Sequence, residues 1–356
     1  MMINRILSQI KSTIGNLTAS IRGFDLAYVV EGHDWSIKHD GQSITKALNQ
    51  QQLLHARTTF TSVGLRNQMV HFGSVNTFFT KKGWHEPHAS NRVILTWFHV
   101  IDGDPRINLL VPIQHQLHAI HTSCEQTKRT LTDAGIDENK IIVIPLGVDV
   151  SLFTPGTPEQ KRNARERLGI AADRLVIGSF QKDGIGWGEG VEPKLIKGPD
   201  SLVETLVRLK ANNPLVLLTG PARGYVKREL TKHRIDYIHT YLQDTKNLPA
   251  MYHALDLYLI TSRLEGGPKS LLEAWASGVP VVSTRVGMVP DIAIHEQTVL
   301  FTDAEDVDGL AQLSHRLMTD QTLSDRLARQ ALIVVQDHSW DKIARRYVDE
   351  LYRPLL

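Results

Sequence analysis

Short apolar runs alternate with amphipathic segments along nearly the whole chain, and this rhythm constrains the fold most. In the first half, segments with helical periodicity at 43–55, 109–117 and 125–134 separate the apolar runs FDLAYVV, ARTTFTS, MVHFG, VILTWFHV, HAIHTS and IIVIPLG. The same rhythm returns between residues 174 and 302. Strands that alternate with helices predict parallel sheets. We therefore predict an α/β fold of two doubly wound, Rossmann-like domains that face each other across a cleft.

One segment marks the predicted boundary between the two domains. Residues 145–160, PLGVDVSLFTPGTPEQ, contain three prolines and two glycines between a strand and a charged helix. Single cores stop growing near about 250–300 residues, so a chain of 356 residues favours two of them. We place the domains at 1–150 and 151–338, and we expect the amphipathic helix at 339–356 to pack back on the first domain.

The charge balance, the single cysteine and the lack of long apolar runs exclude several classes of protein. The 40 basic and 38 acidic side chains give a net charge of +2, which lacks the excess of a dedicated nucleic-acid binder, so we predict no nucleic-acid partner. The single cysteine, Cys124, cannot form an internal disulfide, and the first residues lack the apolar core of a signal peptide. We predict a cytoplasmic protein. It also lacks the run of about 20 apolar residues that crosses a bilayer.

Residues 1–22 form a basic amphipathic pattern with two interpretations. Arg5, Lys11 and Arg22 are the only charged residues in this segment. Such a helix suits the interface of an anionic membrane, as a peripheral contact on the inner membrane face that brings the cleft to a lipid-linked acceptor. The alternative is packing against the first domain. The apolar stripe consists of Ile3, Ile6, Leu7, Ile10, Ile14, Leu17 and Ile21.

The stretch from Asp256 to Thr284, DLYLITSRLEGGPKSLLEAWASGVPVVST, encodes strand, loop, helix, turn and strand. Gly266 and Gly267 permit a close approach of backbone to ligand, and Pro268 suits the first helical position. The N–H groups around Lys269 and Ser270 would then point outward at the positive end of the helix dipole. This arrangement suits the oxygens of a phosphate.

Two glutamates flank that loop. Glu265 lies on the approach to the helix, and Glu273 lies inside it on a nearby face. The spacing of the two glutamates alone is weak evidence for a function. Together with VIPLGVDVSLFTP at 143–155, however, the stretch from Asp256 to Thr284 resembles the signature of the retaining family-4 nucleotide-sugar glycosyltransferases, which have the B-type fold. The resemblance is clear over about 118–300. The alternative is a generic βαβ unit with acids at the start of its helix.

The resemblance implies a reaction and a set of roles. A sugar would pass from a UDP-, GDP- or other nucleoside diphosphate sugar to the hydroxyl of a saccharide or lipid-linked acceptor with retained configuration, in glycan, polysaccharide or glycolipid biosynthesis. By the same resemblance, Glu273 binds the ribose hydroxyls and Glu265 approaches the reaction centre. The backbone of 266–270 holds sugar and phosphate, and Lys197, in a Lys-Gly pair, neutralises the diphosphate. The first domain is then the acceptor side and the second binds the nucleotide sugar.

The glycine-rich loop 178–198 departs from the family pattern. The family has an arginine directly after the strand glycine, whereas here Gly178 is followed by Ser179 and a longer loop. Candidates for the missing cation are Lys182, Lys194 and Arg223, although the two lysines are equally consistent with solvated loop residues. Trp187, among the glycines of this loop, either stacks on a sugar or plugs the loop.

The first half supplies further candidates by position. His99 ends an apolar strand and resembles the family's strand-end histidine near the donor sugar, but a structural histidine is the alternative. The first βα turn carries Glu31, His33, Asp34 and Trp35, polar and aromatic residues that suit an acceptor sugar. An ordered surface loop is the alternative for these four.

The sequence gives no strong metal signal. Asp102-Gly103-Asp104 matches the metal-binding Asp-x-Asp of the other glycosyltransferase fold, but Asp306-Val307-Asp308 matches equally well, and two matches are near chance. We therefore predict no required metal or other cofactor. Rival functions are a nucleotide-sugar epimerase or sugar-phosphate synthase of the same fold, and a catalytically inactive sugar-binding protein. A nicotinamide-dependent oxidoreductase is disfavoured because the first strand turn lacks the dinucleotide fingerprint.

Overall fold

The computed structural model describes residues 9–16, 23–32, 36–81, 83–101, 103–242 and 244–356. The chain divides into two compact units, one that runs to Gly147 and resumes at Trp340–Leu356, and one at Val148–Ser339. The sequence pattern placed the divisions after residues 150 and 338. Each unit contains a six-stranded parallel sheet with helical crossovers, so the prediction of two doubly wound α/β domains is confirmed.

Unit 1 has the sheet order β2-β1-β3-β6-β7-β8, and a short antiparallel hairpin, β4-β5, that the sequence pattern did not predict. Its strands are β1 (Leu26–Val29), β2 (Ala56–Thr59), β3 (Met69–Phe72), β4 (Phe79–Thr80), β5 (Gly83–Trp84), β6 (Arg92–Thr96), β7 (Ala119–Thr122) and β8 (Ile141–Val143). Its helices before the division are α1 (9–16), α2 (Ser36–Gln50), α3 (Val75–Phe78), α4 (Pro105–Ile113) and α5 (Glu125–Asp133).

Unit 2 has the sheet order β11-β10-β9-β12-β13-β14. Its strands are β9 (Val176–Phe180), β10 (Leu215–Thr219), β11 (Tyr237–Thr240), β12 (Leu257–Ile260), β13 (Val281–Thr284) and β14 (Leu300–Thr302). Its helices are α6 (Pro158–Arg167), α7 (Pro199–Arg208), α8 (Gly224–Lys232), α9 (Leu248–His253), α10 (Lys269–Ala276), α11 (Val289–Ile292), α12 (Val307–Thr319) and α13 (Gln321–Val334). The chain then returns to unit 1 as α14 (Trp340–Arg346), which continues in a wider turn at Tyr347–Tyr352.

The sheet of unit 1 is buried on both faces, as expected for parallel strands between helices. Every residue of β1 is buried, and its side chains alternate between two cores. Leu26 and Tyr28 pack with α2 and α14 on one face, whereas Ala27 and Val29 pack with α4 and α5 on the other. Strand periodicity in the sequence therefore translates directly into two apolar layers.

The bounds of the first long helix of unit 1 were predicted wrongly. The sequence pattern placed the first helix of unit 1 at 43–55, after a long loop, but α2 begins at Ser36 and ends at Gln50. Gly41 lies inside this helix. A Cβ atom there would lie 2.6 Å from Val30 and 2.8 Å from Tyr28, so glycine allows the helix to pack close against β1.

The segment α14 and its continuation complete the core of unit 1. Trp340, Ile343 and Tyr347 are buried in the same cluster as β1 and α2. Gly147, at the end of the first stretch of unit 1, lies directly under the indole, because a Cβ atom at Gly147 would lie 2.5 Å from the Trp340 ring. The last residues of the chain are therefore part of this unit's hydrophobic core.

Candidate functional site

The strand order of unit 2 defines a switch point between β9 and β12. From β9 the chain proceeds outward through β10 to β11, whereas β12 starts the run through β13 to β14 in the opposite direction. In open α/β sheets the carboxyl ends of the two strands at such a reversal form the ligand-binding crevice. Here they lead into the loops that begin at Gln181 and Thr261, which carry Lys182, Lys197 and Glu265 among the sequence candidates.

A close backbone contact brings these two loops together. Gly198 has φ +59°, and a Cβ atom there would lie 1.8 Å from the carbonyl oxygen of Thr261, so only glycine fits. The hydroxyl of Thr261 donates to the carbonyl oxygen of Gly198 at 2.9 Å, and the backbone N–H of Arg263 donates to Ile196 at 2.9 Å. The short 3-10 turn Leu195–Lys197 is therefore fixed against the loop that follows β12.

This contact places two of the predicted catalytic residues side by side. The ammonium of Lys197 lies 2.5 Å from Oε1 of Glu265, with side-chain exposures of 17% and 11%. The hydroxyl of Ser262 donates to the same carboxylate oxygen at 3.0 Å. A largely buried cation and a largely buried carboxylate thus meet at the switch point.

Two more lysines lie in the same electrostatic environment. Burial lowers the pKa of Lys194, and the positive charges of Lys197 and Lys182 lower it further, whereas Glu265 raises it. Burial also lowers the pKa of Lys182, whose ammonium lies 4.8 Å from the centre of the Trp187 ring. Trp187 is 60% exposed, so it does not plug the loop.

Arg223 has a different environment from the lysines. Its side chain and that of Asp183 are fully buried, with Nε of Arg223 3.0 Å from Oδ1 of Asp183. The guanidinium also donates to the carbonyl oxygens of Ser179 at 2.6 Å and Thr219 at 3.0 Å. These hydrogen bonds join the base of the glycine-rich loop to β9 and β10. Burial raises the pKa of Asp183, whereas the charge of Arg223 lowers it. These contacts count against Arg223 as the missing phosphate cation.

Helix α10 carries the second glutamate. Tyr252 Oη donates a hydrogen bond to Oε2 of Glu273 at 2.9 Å, and the phenol is buried among Phe153, Phe180 and Tyr258. Burial, and then the charge of Glu273, raise the pKa of Tyr252 well above its ordinary value. The carboxylate on α10 is therefore oriented by a rigid aromatic cluster.

The loop before α10 differs slightly from the expectation. Pro268 precedes the helix as its N-cap with ψ 95°, and Lys269 is the first helical residue, so the prediction of Pro268 at the first helical position was off by one residue. Gly266 accepts a backbone hydrogen bond from Met288 at 3.0 Å. Ser270 lies in the first turn of α10, and Gly267 is half-buried on the loop.

Unit 1 has its own switch point, between β1 and β3. Glu31 follows β1, and its carboxylate accepts hydrogen bonds from Ser74 at 2.6 Å and Asn76 at 3.3 Å, which follow β3. His99 lies three residues beyond β6, is half-buried, and contributes to lowering the pKa of Asp104. His33, Asp34 and Trp35 lie outside the described residues.

The Asp-x-Asp matches are explained by helix caps where the structure describes them. Asp104 is the N-cap of α4 and accepts from the backbone of Arg106, with which it also forms an ion pair at 2.5 Å. Asp306 caps α12 in the same way. Asp102 lies outside the described residues. Among the residues that are described, no three His, Cys, Asp or Glu side chains are arranged to hold a metal ion.

Sequence reasoning missed three residues of this site. Tyr252 belongs to a short helix without a recognisable motif, Ser262 is one of many serines, and Asp183 is one of several acids on a long loop. Their roles follow from contacts made across the sheet. The fully buried charge of Arg223 needs a counter-charge, which Asp183 supplies, but the burial of this pair is not visible in the sequence.

The sequence profile of glycosyl transferases group 1 matches residues 192–333, which contain Lys197, Glu265 and Glu273. Residues 192–333 are therefore similar to glycosyl transferases group 1. The match covers most of unit 2 and begins inside the long loop, so the glycines before residue 192 and the whole of the first stretch of unit 1 lie outside it.

Curated relatives of this chain include proteins named D-inositol 3-phosphate glycosyltransferase. The one from Corynebacterium urealyticum is 29% identical over 63% of this chain and 54% of its own length. The one from Stackebrandtia nassauensis is 30% identical over 66% of this chain and 55% of its own length. The chain spans about half the length of the curated relatives it matches.

Solved structures extend the likeness to both units. HepE of Anabaena, solved with UDP and glucose, has a TM-score of 0.73 at 15% identity and covers 93% of this chain and 100% of its own. Sucrose-phosphate synthase from Thermosynechococcus elongatus has a TM-score of 0.72 at 16% identity, over 93% of this chain and 99% of its own. This likeness shows that the chain has the B-type glycosyltransferase fold.

Proposed function

We propose that this protein is a retaining glycosyltransferase that moves a sugar from a nucleoside diphosphate sugar to an acceptor hydroxyl. The observation that carries the proposal is the contact of Lys197 with Glu265 at the switch point of unit 2, inside the stretch that is similar to glycosyl transferases group 1. The chemistry needs a cation for the departing diphosphate and a carboxylate beside the transferred sugar, and this contact supplies both in one place.

Each of these residues then has a role in the proposed reaction. The ammonium of Lys197 neutralises charge that develops on the diphosphate as the bond to the sugar breaks, and the leaving diphosphate helps to deprotonate the acceptor hydroxyl. Glu265 contacts the sugar, and Glu273, oriented by Tyr252, accepts hydrogen bonds from the ribose hydroxyls. From unit 1, His99 would bond a sugar hydroxyl and Glu31 would contact the acceptor.

The second phosphate cation is assigned to Lys194 and Lys182. The charges of Lys197, Lys182 and Glu265 all act on the ammonium group of Lys194. This group of three lysines and one carboxylate carries an excess of positive charge, which suits a nucleoside diphosphate. These lysines would replace the arginine that the family places directly after the strand glycine.

The names of the similar proteins support a chemical class for the donor and for the acceptor substrate. HepE was solved with UDP-glucose, which supports a nucleotide sugar as the donor of this protein and makes UDP the first nucleotide to test. The curated relatives are named for an inositol phosphate acceptor, which supports a saccharide or related polyol, free or lipid-linked. We place the activity in the cytoplasm, in glycan, polysaccharide or glycolipid synthesis. None of the described helices is long and apolar enough to span a membrane.

A donor screen tests the proposal. The protein is incubated with UDP-, GDP-, ADP- and TDP-sugars, with and without a panel of sugar, polyol and lipid-linked acceptors, and the nucleotide, the sugar and the product are measured. Release of a nucleoside diphosphate with a new α-linked product from an α-linked donor supports retention. An isomerised nucleotide sugar would identify the epimerase alternative, and binding without turnover would identify the inactive sugar-binding protein.

Chelation tests the expected independence from metal. If the lysines and the first turn of α10 stabilise the diphosphate, excess EDTA should leave turnover within about twofold, since no metal-bound step is lost. The measurement is turnover of the active donor in dialysed protein with EDTA, then with added Mg²⁺ or Mn²⁺. A complete block by EDTA that either ion reverses would contradict the assignment.

A further inference from the structure

The charges of unit 1 are unevenly distributed along its sequence. Residues 1–24 and 41–85 contain no Asp or Glu, although acidic residues make up more than a tenth of the whole chain, 38 of 356. The two segments carry basic side chains alone: Arg5, Lys11, Arg22, Lys46, Arg57, Arg66, Lys81 and Lys82. Helix α1 belongs to the first segment, and β2 with the loop that follows it belongs to the second.

A polar contact docks α1 on the end of β2. The side chain of Asn16 is fully buried, and its amide donates to the carbonyl oxygens of Thr61 at 2.9 Å and Val63 at 2.7 Å. The hydroxyl of Thr59 donates to Oδ1 of Asn16 at 3.1 Å, and the guanidinium of Arg57 donates to the same oxygen. Because β2 is an edge strand, this helix covers an edge of the sheet.

This way of docking leaves apolar side chains on the outside. Ile10 and Ile14, one helical turn apart on the same face, are 51% and 62% exposed. Val63, on the loop that receives Asn16, is 57% exposed. Lys11 and Arg66 are exposed on the same two elements. We call these five residues the basic apolar patch. A helix usually docks by its apolar face, whereas here a buried amide holds it and the isoleucines face solvent.

We propose that the basic apolar patch binds the interface of a lipid bilayer that contains anionic lipid. Apolar side chains on a helix, flanked by cations and without acids, are the combination that buries in the headgroup region while its cations attract anionic headgroups. A second copy of this chain is a poorer partner, since a symmetric contact would bring two acid-free surfaces together. With few cations, the attachment is reversible and sensitive to salt.

Vesicle flotation of the full-length protein tests this inference without any enzymatic readout, so its outcome is independent of the proposed function. The vesicles consist of phosphatidylcholine with and without phosphatidylglycerol. The wild-type protein should float with the anionic vesicles, less with the neutral ones, and less as salt rises from about 0.1 M to about 1 M, which shortens the screening length from about 10 to about 3 Å.

Two double variants separate the apolar and the electrostatic contributions. Ile10→Ser with Ile14→Ser should lower the partition coefficient about tenfold, since two aliphatic side chains leave the interface. Lys11→Gln with Arg66→Gln should lower it less and reduce its dependence on salt. The matched controls lie on unit 2 and should float like wild type: Ile333→Ser, at 65% exposure on α13, and Arg167→Gln with Lys210→Gln.

Three results would overturn the inference. One is wild-type flotation in the isoleucine double variant. Another is a wild-type dimer in sedimentation that this variant converts to a monomer without any effect of lipid, which would assign the patch to a second copy. The third is a melting temperature lowered by several degrees in the isoleucine variant, which would show that these side chains are covered within the chain. An unchanged melting temperature with lost flotation supports the proposal.

Discussion

At the scale of single residues, a glycine decides where the charge of Lys197 lies. Gly198 adopts φ +59° and contacts the carbonyl of Thr261 at a distance that no Cβ atom permits. The lysine before it therefore reaches Glu265 across the switch point, at 2.5 Å. The Lys-Gly string thus has a mechanical explanation: glycine permits the approach, and lysine supplies the charge.

Removal of either partner of this pair should affect turnover more than nucleotide binding. We expect Lys197→Met and Glu265→Gln each to lower kcat by about 10²–10³, the usual effect of losing one group that stabilises developing charge. Nucleoside diphosphate affinity should change far less. Steady-state kinetics with the active donor, together with calorimetric titration of the nucleotide, separates the two effects.

The control for lost charge is Lys210→Met, which replaces an exposed lysine just beyond the end of α7 and should have wild-type kinetics. A Lys197→Met protein that folds and retains full kcat would place the reaction elsewhere.

Tyr252 is the second residue on which the site depends. Its hydroxyl makes a 2.9 Å hydrogen bond to Glu273, and its ring lies 4.8 Å from the Phe180 ring in an edge-to-face contact. A carboxylate on a helix has several rotamers, and this bond selects one of them. Tyr252 therefore acts on the nucleotide through Glu273, as a positioning residue.

The variant Tyr252→Phe keeps the ring and removes only the hydroxyl. We expect it to weaken nucleotide binding about tenfold, because hydrogen bonds to charged groups contribute about 1.5–3 kcal/mol, and Glu273→Ala should weaken binding at least as much. Calorimetric titration with UDP and the other nucleoside diphosphates measures the effect. Tyr237→Phe, on the edge strand β11, is the matched control, and equal affinity of Tyr252→Phe and wild type would refute the role of this bond.

At the scale of elements, sequence pattern predicted what depends on local chemistry. The order of strand, loop, helix, turn and strand between Asp256 and Thr284 was predicted correctly, because glycines bound the helix α10 and apolar runs define the strands β12 and β13. The start of α2 was missed because Gly41 is a packing glycine, which only the neighbouring strand reveals. The candidates Lys197, Glu265 and Glu273 came from motifs, but the contact of Tyr252 with Glu273 required the fold.

The last element of the chain, α14 with its continuation, is joined to the sheet of unit 1 by a chain of buried hydrogen bonds. Tyr352 Oη lies 2.8 Å from Nδ1 of His71, whose Nε2 lies 2.7 Å from the hydroxyl of Thr96. That hydroxyl lies 3.0 Å from Nδ1 of His121, and Nε2 of His121 donates to Ile144 at 2.9 Å. No periodicity in the sequence reveals a network whose five members lie far apart along the chain.

The packing of α14 can be tested with one methyl group. In Gly147→Ala the new Cβ atom would lie 2.5 Å from the Trp340 ring, so the indole or the backbone must shift. We expect a loss of about 1–3 kcal/mol in the free energy of unfolding, as for other overpacked cores. Urea denaturation measures it. Gly32→Ala in the same unit is the control, because a Cβ atom there meets no atom within 4 Å; equal destabilisation by both variants would contradict the packing argument.

At the scale of the whole molecule, the small net charge of +2 conceals groups whose ionisation the fold suppresses. His71 and His121 are fully buried in unit 1. Burial lowers the pKa of His121 to about 4 and lowers the pKa of His71 well below its ordinary value, and His121 lowers that of His71 further. The hydrogen-bonded chain fits the neutral rings, because one nitrogen of each ring can donate while the other accepts.

Stability should therefore fall as the medium becomes acidic. Below about pH 6.5 the histidines of the unfolded chain bind protons while His121 in the folded protein stays neutral until about pH 4, so protons favour the unfolded state across this window. A pKa lowered from 6.5 to about 4 corresponds to about 3 kcal/mol for His121 alone. Stability is fully present above the window and is lost through it as pH falls.

Urea denaturation at a series of pH values across this window, compared between wild type and His121→Gln, measures the contribution. The variant is less stable at neutral pH because it disturbs the network, but its stability should depend less steeply on pH, since one proton-binding difference between the folded and unfolded states is gone. The exposed His115→Gln serves as the control and should keep the wild-type slope. A wild-type slope in His121→Gln would show that other groups govern the acid lability of this fold.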